Sequence, residues 1–231
     1  MTPTGRQSRD EEGLNGAERM VPEPTVLRLP LYLQALRELQ ADGLSVVSSE
    51  DFGAQVDATA AQFRKDLSYI GVPGRPGVGY DVNALIDRIA EVLGLVASHD
   101  LILAGAGRLG AALCSYPGFA TQGFRIAAVF DSDPAKIGQK LGETVIRDIA
   151  DLPRVNSNLR CRMGIVAVPA EAAKDVVQSM VDSGVRWILN FAPARVAVPK
   201  GVMIRQVDLT HQLEILSYYM TVAVNGASAE A

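Results

Sequence analysis

The sequence predicts an α/β chain: a compact helical unit, then a parallel sheet with helices on both faces. Three observations predict it. Up to about Leu93 the apolar residues recur at helical spacing. From His99 onward, short and wholly apolar runs alternate with helical segments, the pattern of buried parallel strands. Between the first of those runs and its helix lies Gly105-Ala-Gly-Arg-Leu-Gly110, a glycine-rich turn.

The elements follow in order. Met1 to Met20 is rich in Gly, Glu and Arg and lacks an apolar segment. It reads as a disordered arm over residues 1–20, not a signal peptide. Leu27, Leu31, Ala35 and Leu39 stripe a helix from about Pro24 to Ala41, closed by Gly43. Ser48, with Asp51 three residues on, caps a short helix to about Gln55. Asp57 or Thr59 caps a third, running to about Ile70 with Phe63, Leu67 and Ile70 inward. Three helices this close, the last two joined by a tight turn, make a helix-turn-helix candidate. Gly71-Val-Pro-Gly-Arg-Pro-Gly-Val-Gly-Tyr80 has too many Gly and Pro for a helix and suits a hairpin or loop. Asp81 caps a connecting helix striped by Leu85, Ile86, Ile89 and Leu93, with Gly94 as its stop. Strands are expected over 101–104, 126–130, 163–168, 187–190 and 202–207, and helices over 109–115 and 170–182. From Asp208 to about Val224 apolar residues circle a last helix, which must then be buried. Another subunit and the chain's own sheet are both open as its cover.

Composition sets bounds on function. With 231 residues, 48% hydrophobic and 21% charged, the chain has room for two cores. No apolar run approaches the ~20 residues that span a bilayer, so no membrane partner is expected. Cys114 and Cys161 form no CxxC or CxxH spacing, which argues against a metal site or a disulfide framework and fits a reducing cytoplasm. Net charge is −4, and Val21 to Tyr80 holds five Lys/Arg against seven Asp/Glu. Bulk electrostatics thus points away from DNA, and contact with it must rest on a local arrangement.

The glycine turn matches G-x-G-x-x-G in the context the motif requires, after a strand and opening a helix. Gly105 allows the tight turn, Gly107 lets a pyrophosphate approach the backbone, and Gly110 lets helix and strand pack closely. Ala106, Arg108 and Leu109 complete the loop, whose free N–H groups face the phosphates. Asp131 ends the second strand twenty-one residues after Gly110, placed to bond both hydroxyls of an adenosine ribose and to repel a 2′-phosphate. NAD+ and NADH are the expected cofactors, with Arg108 and Lys136 softening the preference over NADP(H). The crevice rule for open sheets adds Val168, Pro169, Asn190, Phe191 and Ala192, at the ends of later strands, around the nicotinamide. No catalytic residue stands out. His99 reads as a loop residue, His211 beside Glu214 as a helix face, and Cys114 as a small packed residue.

Arg28-Leu-Pro-Leu-Tyr32, Arg64-Lys-Asp-Leu-Ser-Tyr69, Gly77-Val-Gly-Tyr-Asp81, Tyr116-Pro-Gly-Phe119, Asn190-Phe-Ala-Pro193 and Val207-Asp-Leu209 occur in that order around the glycine turn. Together they resemble the Rex family of redox-sensing repressors, from about Val21 to Tyr219. The resemblance implies a homodimer with a winged-helix DNA-binding domain (residues 21–81), a Rossmann NAD(H)-binding domain (82–207) and a domain-swapped C-terminal helix (208–225). It implies binding to inverted-repeat operator DNA and release by NADH but not NAD+. Arg64, Lys65 and Ser68 then face the major groove, Tyr69 and the Ser48–Ser49 cap hold phosphates, and Gly77, Gly79 and Tyr80 form the wing. The chain departs from the family at Pro76, where a basic residue is common, and Arg75 is the substitute one place earlier. Tyr116 and Asp208 match family positions near the nicotinamide and the domain interface, and Arg28 a first-helix position able to pair with Asp208 of another subunit. These three are the expected switch. Two other readings share the dinucleotide turn: an NAD-dependent dehydrogenase or reductase with an accessory helical domain, and a CoA-binding scaffold.

Overall fold

The computed structural model describes residues 20–75 and 77–229; all but Met20 of the arm expected over residues 1–20, and the departure at Pro76, lie outside the described residues. The chain divides between Val96 and Ala97.

In the first unit, α1 (Glu23–Ala41) starts at Pro22 with Glu23 and Pro24 in its first turn and ends where Gly43 takes φ +80°. Strand β1 (Val46–Val47) leads to α2 (Ser49–Gln55), capped by Ser48, and α3 (Ala60–Tyr69) is capped by Thr59, not Asp57. Strand β2 (Tyr80–Asp81) pairs antiparallel with β1, and Asp81 caps α4 (Val82–Val92). Leu29, Tyr32, Leu36, Phe52, Phe63, Leu67, Leu85 and Ile89 close one core, with the rings of Tyr32, Phe52 and Tyr80 packed around Phe63. Because Val82, Leu85 and Ile89 are buried there, α4 belongs to the helical unit. The boundary expected after Asp81 moves to Val96.

The second unit is a seven-stranded sheet. Its strands are β3 (His99–Ala104), β4 (Phe124–Asp131), β5 (Lys140–Leu141), β6 (Thr144–Asp148), β7 (Met163–Val166), β8 (Trp187–Asn190) and β9 (Met203–Gln206). They lie in the order β5-β6-β4-β3-β7-β8-β9, with every pair parallel except β5–β6. Leaving out β5, this is the doubly wound order 3-2-1-4-5-6. One face carries Ile102, Ala104, Phe130 and Val166 under α7 (Leu152–Leu159) and α8 (Ala170–Asp182). The other carries Leu101, Leu103, Val129 and Ile165 near α5 (Arg108–Cys114) and α6 (Pro117–Thr121). The β8–β9 connection has no helix, so Leu101, Met163, Trp187, Leu189 and Met203 line an open apolar groove of about 270 Å³.

The last helix, α9 (Leu209–Ala229), is longer than expected, and from Leu209 to Val222 all its residues are exposed. Burial on the chain's own sheet is therefore not what this structure has. Leu213, Leu216, Tyr218, Tyr219 and Met220 all stand more than half open to solvent.

Candidate functional site

The glycine turn is shaped by sterics. Gly105 adopts φ +101°, and a Cβ there would meet the carbonyl oxygen of Ala167. A Cβ on Gly110 would meet the carbonyl oxygen of Gly105, whereas one on Gly107 would stand in open space. The first and third glycines thus serve the fold, and the second leaves room for a ligand. At α5 the first N–H groups have no intrahelical acceptor and Gly107 offers no side-chain cap.

Asp131 closes this turn. Its Oδ2 accepts the N–H of Ala106 (2.8 Å) and the ammonium of Lys136 (3.1 Å), and its Oδ1 accepts the N–H of Asp133 (2.9 Å). Burial pushes the carboxyl up, but the two backbone N–H groups and Lys136 outweigh it and hold the group below the usual carboxylate range. The bond to Asp131 in turn raises Lys136. The resulting cleft, about 460 Å³, is lined by Gly105, Gly107, Arg108, Leu109, Asp131, Lys136, Val168 and Pro169, all expected from the sequence. Ser132, Asp133, Ile149, Ala172 and Val176 were not. Ala172 and Val176 were legible as a one-turn pair on the helix after Pro169. A cleft with a glycine floor, donor N–H groups and an ionised carboxylate at the far strand fits the adenosine and pyrophosphate of a dinucleotide.

The other expected cofactor residues lie elsewhere. Asn190 is fully buried; its amide donates to the Ala194 carbonyl (2.9 Å) and Gln206 Oε1 (2.8 Å), and its oxygen accepts the Ala192 N–H (3.0 Å). It braces the loop after β8 rather than facing a ligand. Ala192 is likewise fully buried, and Phe191 packs on the α5 face of the sheet. Tyr116 is exposed between α5 and α6, edge-on to Phe119. Asp208 caps α9 by accepting the Thr210 N–H (2.9 Å), which holds its carboxyl below its ordinary value. His211 lies 3.5 Å from Asp208, so its near partner is Asp208 rather than Glu214.

In the first unit, α3 buries Phe63 and Leu67 and turns Arg64, Lys65, Ser68 and Tyr69 outward. A residue the sequence reading passed over organises the inner face. Asp66, fully buried, accepts from Thr25 (2.9 Å), Tyr32 (2.8 Å), Gln62 (3.0 Å) and both Nε and Nη2 of Arg28 (2.7 Å each). Burial pushes the Asp66 carboxyl up, but the bonds from Arg28, Tyr32 and Thr25 prevail and hold it low. Burial and the bond to Asp66 push Tyr32 up to about 12. Arg28 is thereby committed to a buried carboxylate in its own unit.

The cap and the wing are fixed by contacts within the protein. Ser48 Oγ accepts the Asp51 N–H and donates to Asp51 Oδ2, and Ser49 is buried and donates to Glu50, so both hydroxyls are engaged within the protein. Arg75 and Gly79 exchange backbone hydrogen bonds of 3.0 Å across a turn in which Gly77 and Gly79 take positive φ, a hairpin as expected of a wing. Tyr80 is buried against Phe63, so its ring anchors the wing.

Comparison with known proteins bears on both units. Residues 20–68 match a family model described as "Putative DNA-binding protein N-terminus", and residues 97–194 match the CoA binding domain. The redox-sensing transcriptional repressor Rex of Chloroflexus aurantiacus is 44% identical over 199 residues, 86% of this chain and 94% of that protein. The crystal structure of RSP, a Rex-family repressor, in complex with β-NAD+ and operator DNA superposes with a TM-score of 0.84 at 29% identity. That match covers 91% of this chain and 97% of RSP. RSP in complex with β-NADH gives a TM-score of 0.83 at 28% identity, over 90% and 98% of the two chains. With a dinucleotide cleft in one unit, a helix-turn-helix in the other and this likeness along nearly its whole length, the chain belongs to the Rex family of redox-sensing transcriptional repressors.

Proposed function

We propose that this chain represses transcription by holding an inverted-repeat operator through α3 and the Arg75–Gly79 hairpin, and that NADH in the Asp131 cleft releases it. The reading is carried by one observation: a cleft built for a dinucleotide and an outward basic helix face occupy separate units of one chain. The dehydrogenase reading is set aside, since the family consists of repressors.

Within the cleft, Asp131 would take the ribose hydroxyls and the Gly105–Gly110 turn the pyrophosphate, with Val168 and Pro169 beside the nicotinamide end. The two forms of the cofactor differ in charge and planarity at that ring, so discrimination must arise there. Arg28, Tyr116 and Asp208 are the proposed switch, and Asp208 heads α9, whose apolar girth calls for a second copy. A homodimer with α9 exchanged between subunits would bury that girth and carry movement from one cleft to both DNA-binding units. A near-complete switch requires NADH to favour the released state by about 5 kcal/mol. No helix among the described residues is long and apolar enough to cross a membrane, and a cytoplasmic location is part of the proposal.

Titration onto a fluorescent inverted repeat of TTGTGAA and TTCACAA, against a scrambled duplex at the same salt, tests the DNA half. Affinity at least about a hundredfold tighter for the repeat supports it. Equal affinity for both duplexes contradicts it. For the switch, Asp208→Ala should keep operator and NADH binding but lose NADH-induced release; normal release by that variant excludes Asp208 from the mechanism.

A further inference from the structure

Arg64, on the outward face of α3, is held from behind. Its Nη1 donates to Ser49 Oγ (2.7 Å) and to Glu50 Oε1 (3.1 Å), and Ser49 Oγ donates to Glu50 Oε2 (3.0 Å). The three side chains close a ring between α2 and α3. Ser49 is buried while Arg64 and Glu50 are at least half exposed, so the ring is anchored at its root and open at its tip. Both contacts fall on Nη1. Among the described residues Nε and Nη2 take no partner, and two adjacent guanidinium donors are what the O6/N7 edge of guanine accepts.

We propose that Glu50, with Ser49, is a positioning residue that turns the Nε–Nη2 edge of Arg64 toward a base, and so determines operator specificity. The inference rests on reading α3 as the DNA-reading helix. A free arginine loses much rotamer freedom on binding, and a guanidinium already fixed on one side loses less. The Glu50 carboxylate also opposes attachment to phosphates of any sequence, because it offsets the charge of Arg64. Affinity for arbitrary DNA falls while the contact to the right base is favoured, a specificity obtained partly by weakening the wrong complex. An exposed ion pair of this kind is weak by itself, so its effect should appear in discrimination rather than in stability.

The test measures fluorescence anisotropy of the full chain on three duplexes: the inverted repeat, a scrambled sequence, and the repeat with one G·C pair per half-site exchanged. The exchanged pair is the one whose preference Arg64→Ala abolishes. Glu50→Gln should bind the scrambled duplex severalfold more tightly and lose about tenfold of the preference for the correct pair. Ser49→Ala should lose part of that preference, and the melting temperature and NADH affinity of both variants should match the parent. If Glu50→Gln tightens binding to all three duplexes by one common factor, Glu50 is only a charge near phosphates and the proposal is overturned. If Arg64→Ala leaves every preference intact, the reading of α3 fails first, and the proposal falls with it.

Discussion

Each unit keeps one largely buried aspartate below its ordinary pKa, and the two are held in opposite ways. Asp66 receives five hydrogen bonds, all from side chains of α1 and α3, which exceeds the roughly four acceptor sites of a carboxylate. Asp131 receives three, two of them from backbone N–H groups, and faces a cleft. The first is saturated and holds two helices together. The second retains lone-pair capacity on Oδ1, in the place where a ribose hydroxyl would donate. A buried carboxylate therefore announces structure or ligand by what fills its acceptor sites, more than by its burial or its pKa.

Substitution at the saturated site should give the largest effect. Asp66→Ala leaves Arg28 without its buried partner and is expected to destabilise the first unit by about 3–5 kcal/mol. Urea unfolding followed by far-UV circular dichroism would show it, while Trp187, the single tryptophan and part of the second unit, reports on the sheet separately. A loss below about 1 kcal/mol would mean the network is peripheral.

The glycine turn sharpens the contrast between fold and ligand. Gly110→Ala should disturb the sheet unit itself, because its Cβ meets the Gly105 carbonyl oxygen. Gly107→Ala should leave the melting temperature unchanged and weaken NADH binding by about tenfold or more, its Cβ projecting only into the space a pyrophosphate would fill. Calorimetry of both variants checks this, and equal effects on stability would erase the distinction.

At the unsaturated site, Asp131→Asn should cost about 1–3 kcal/mol, since the amide nitrogen cannot accept the backbone N–H that one carboxylate oxygen now takes. Its effect on the ligand should be on selectivity, with the preference for NADH over NADPH falling by about tenfold. Unchanged selectivity would argue that another group reads the ribose.

The smallest effect is a pH dependence. Asp66 is lower in the folded protein than its ordinary ~3.9, so its contribution is complete above that value and is lost as pH falls through the folded value. The stability gap between the parent and Asp66→Asn should be flat between about pH 5 and 8 and narrow below about pH 4. A gap that widens on acidification would contradict the assignment.

The parts of the site that backbone chemistry dictates locally were legible in the sequence. The Gly105–Gly110 turn, Asp131 and the cap residues Ser48, Thr59 and Asp81 all act within a few residues of their own position, or at a strand end whose spacing is fixed. Long-range partners were not. Asp66 drew no reading from its own neighbours, because its partners Arg28, Tyr32 and Thr25 come from α1, some forty residues earlier. Asn190 was expected at the nicotinamide from its place at a strand end and Tyr80 in the wing from the family resemblance, yet the Ala194 carbonyl with Gln206, and the Phe63 ring, occupy them. Periodicity showed that α4 has a buried face without showing which core it joins. The β5–β6 hairpin and α7 were missed because their strands are short and their apolar residues few.

The most direct measurement is release. A preformed complex of the protein with the fluorescent inverted repeat is titrated with NADH, and in parallel with NAD+, at constant salt. Anisotropy should fall to the free-DNA value with NADH and hold with NAD+, and Gly107→Ala should shift the NADH curve to higher concentration. A complex that survives saturating NADH, or one dissolved equally by both forms, would contradict release by NADH.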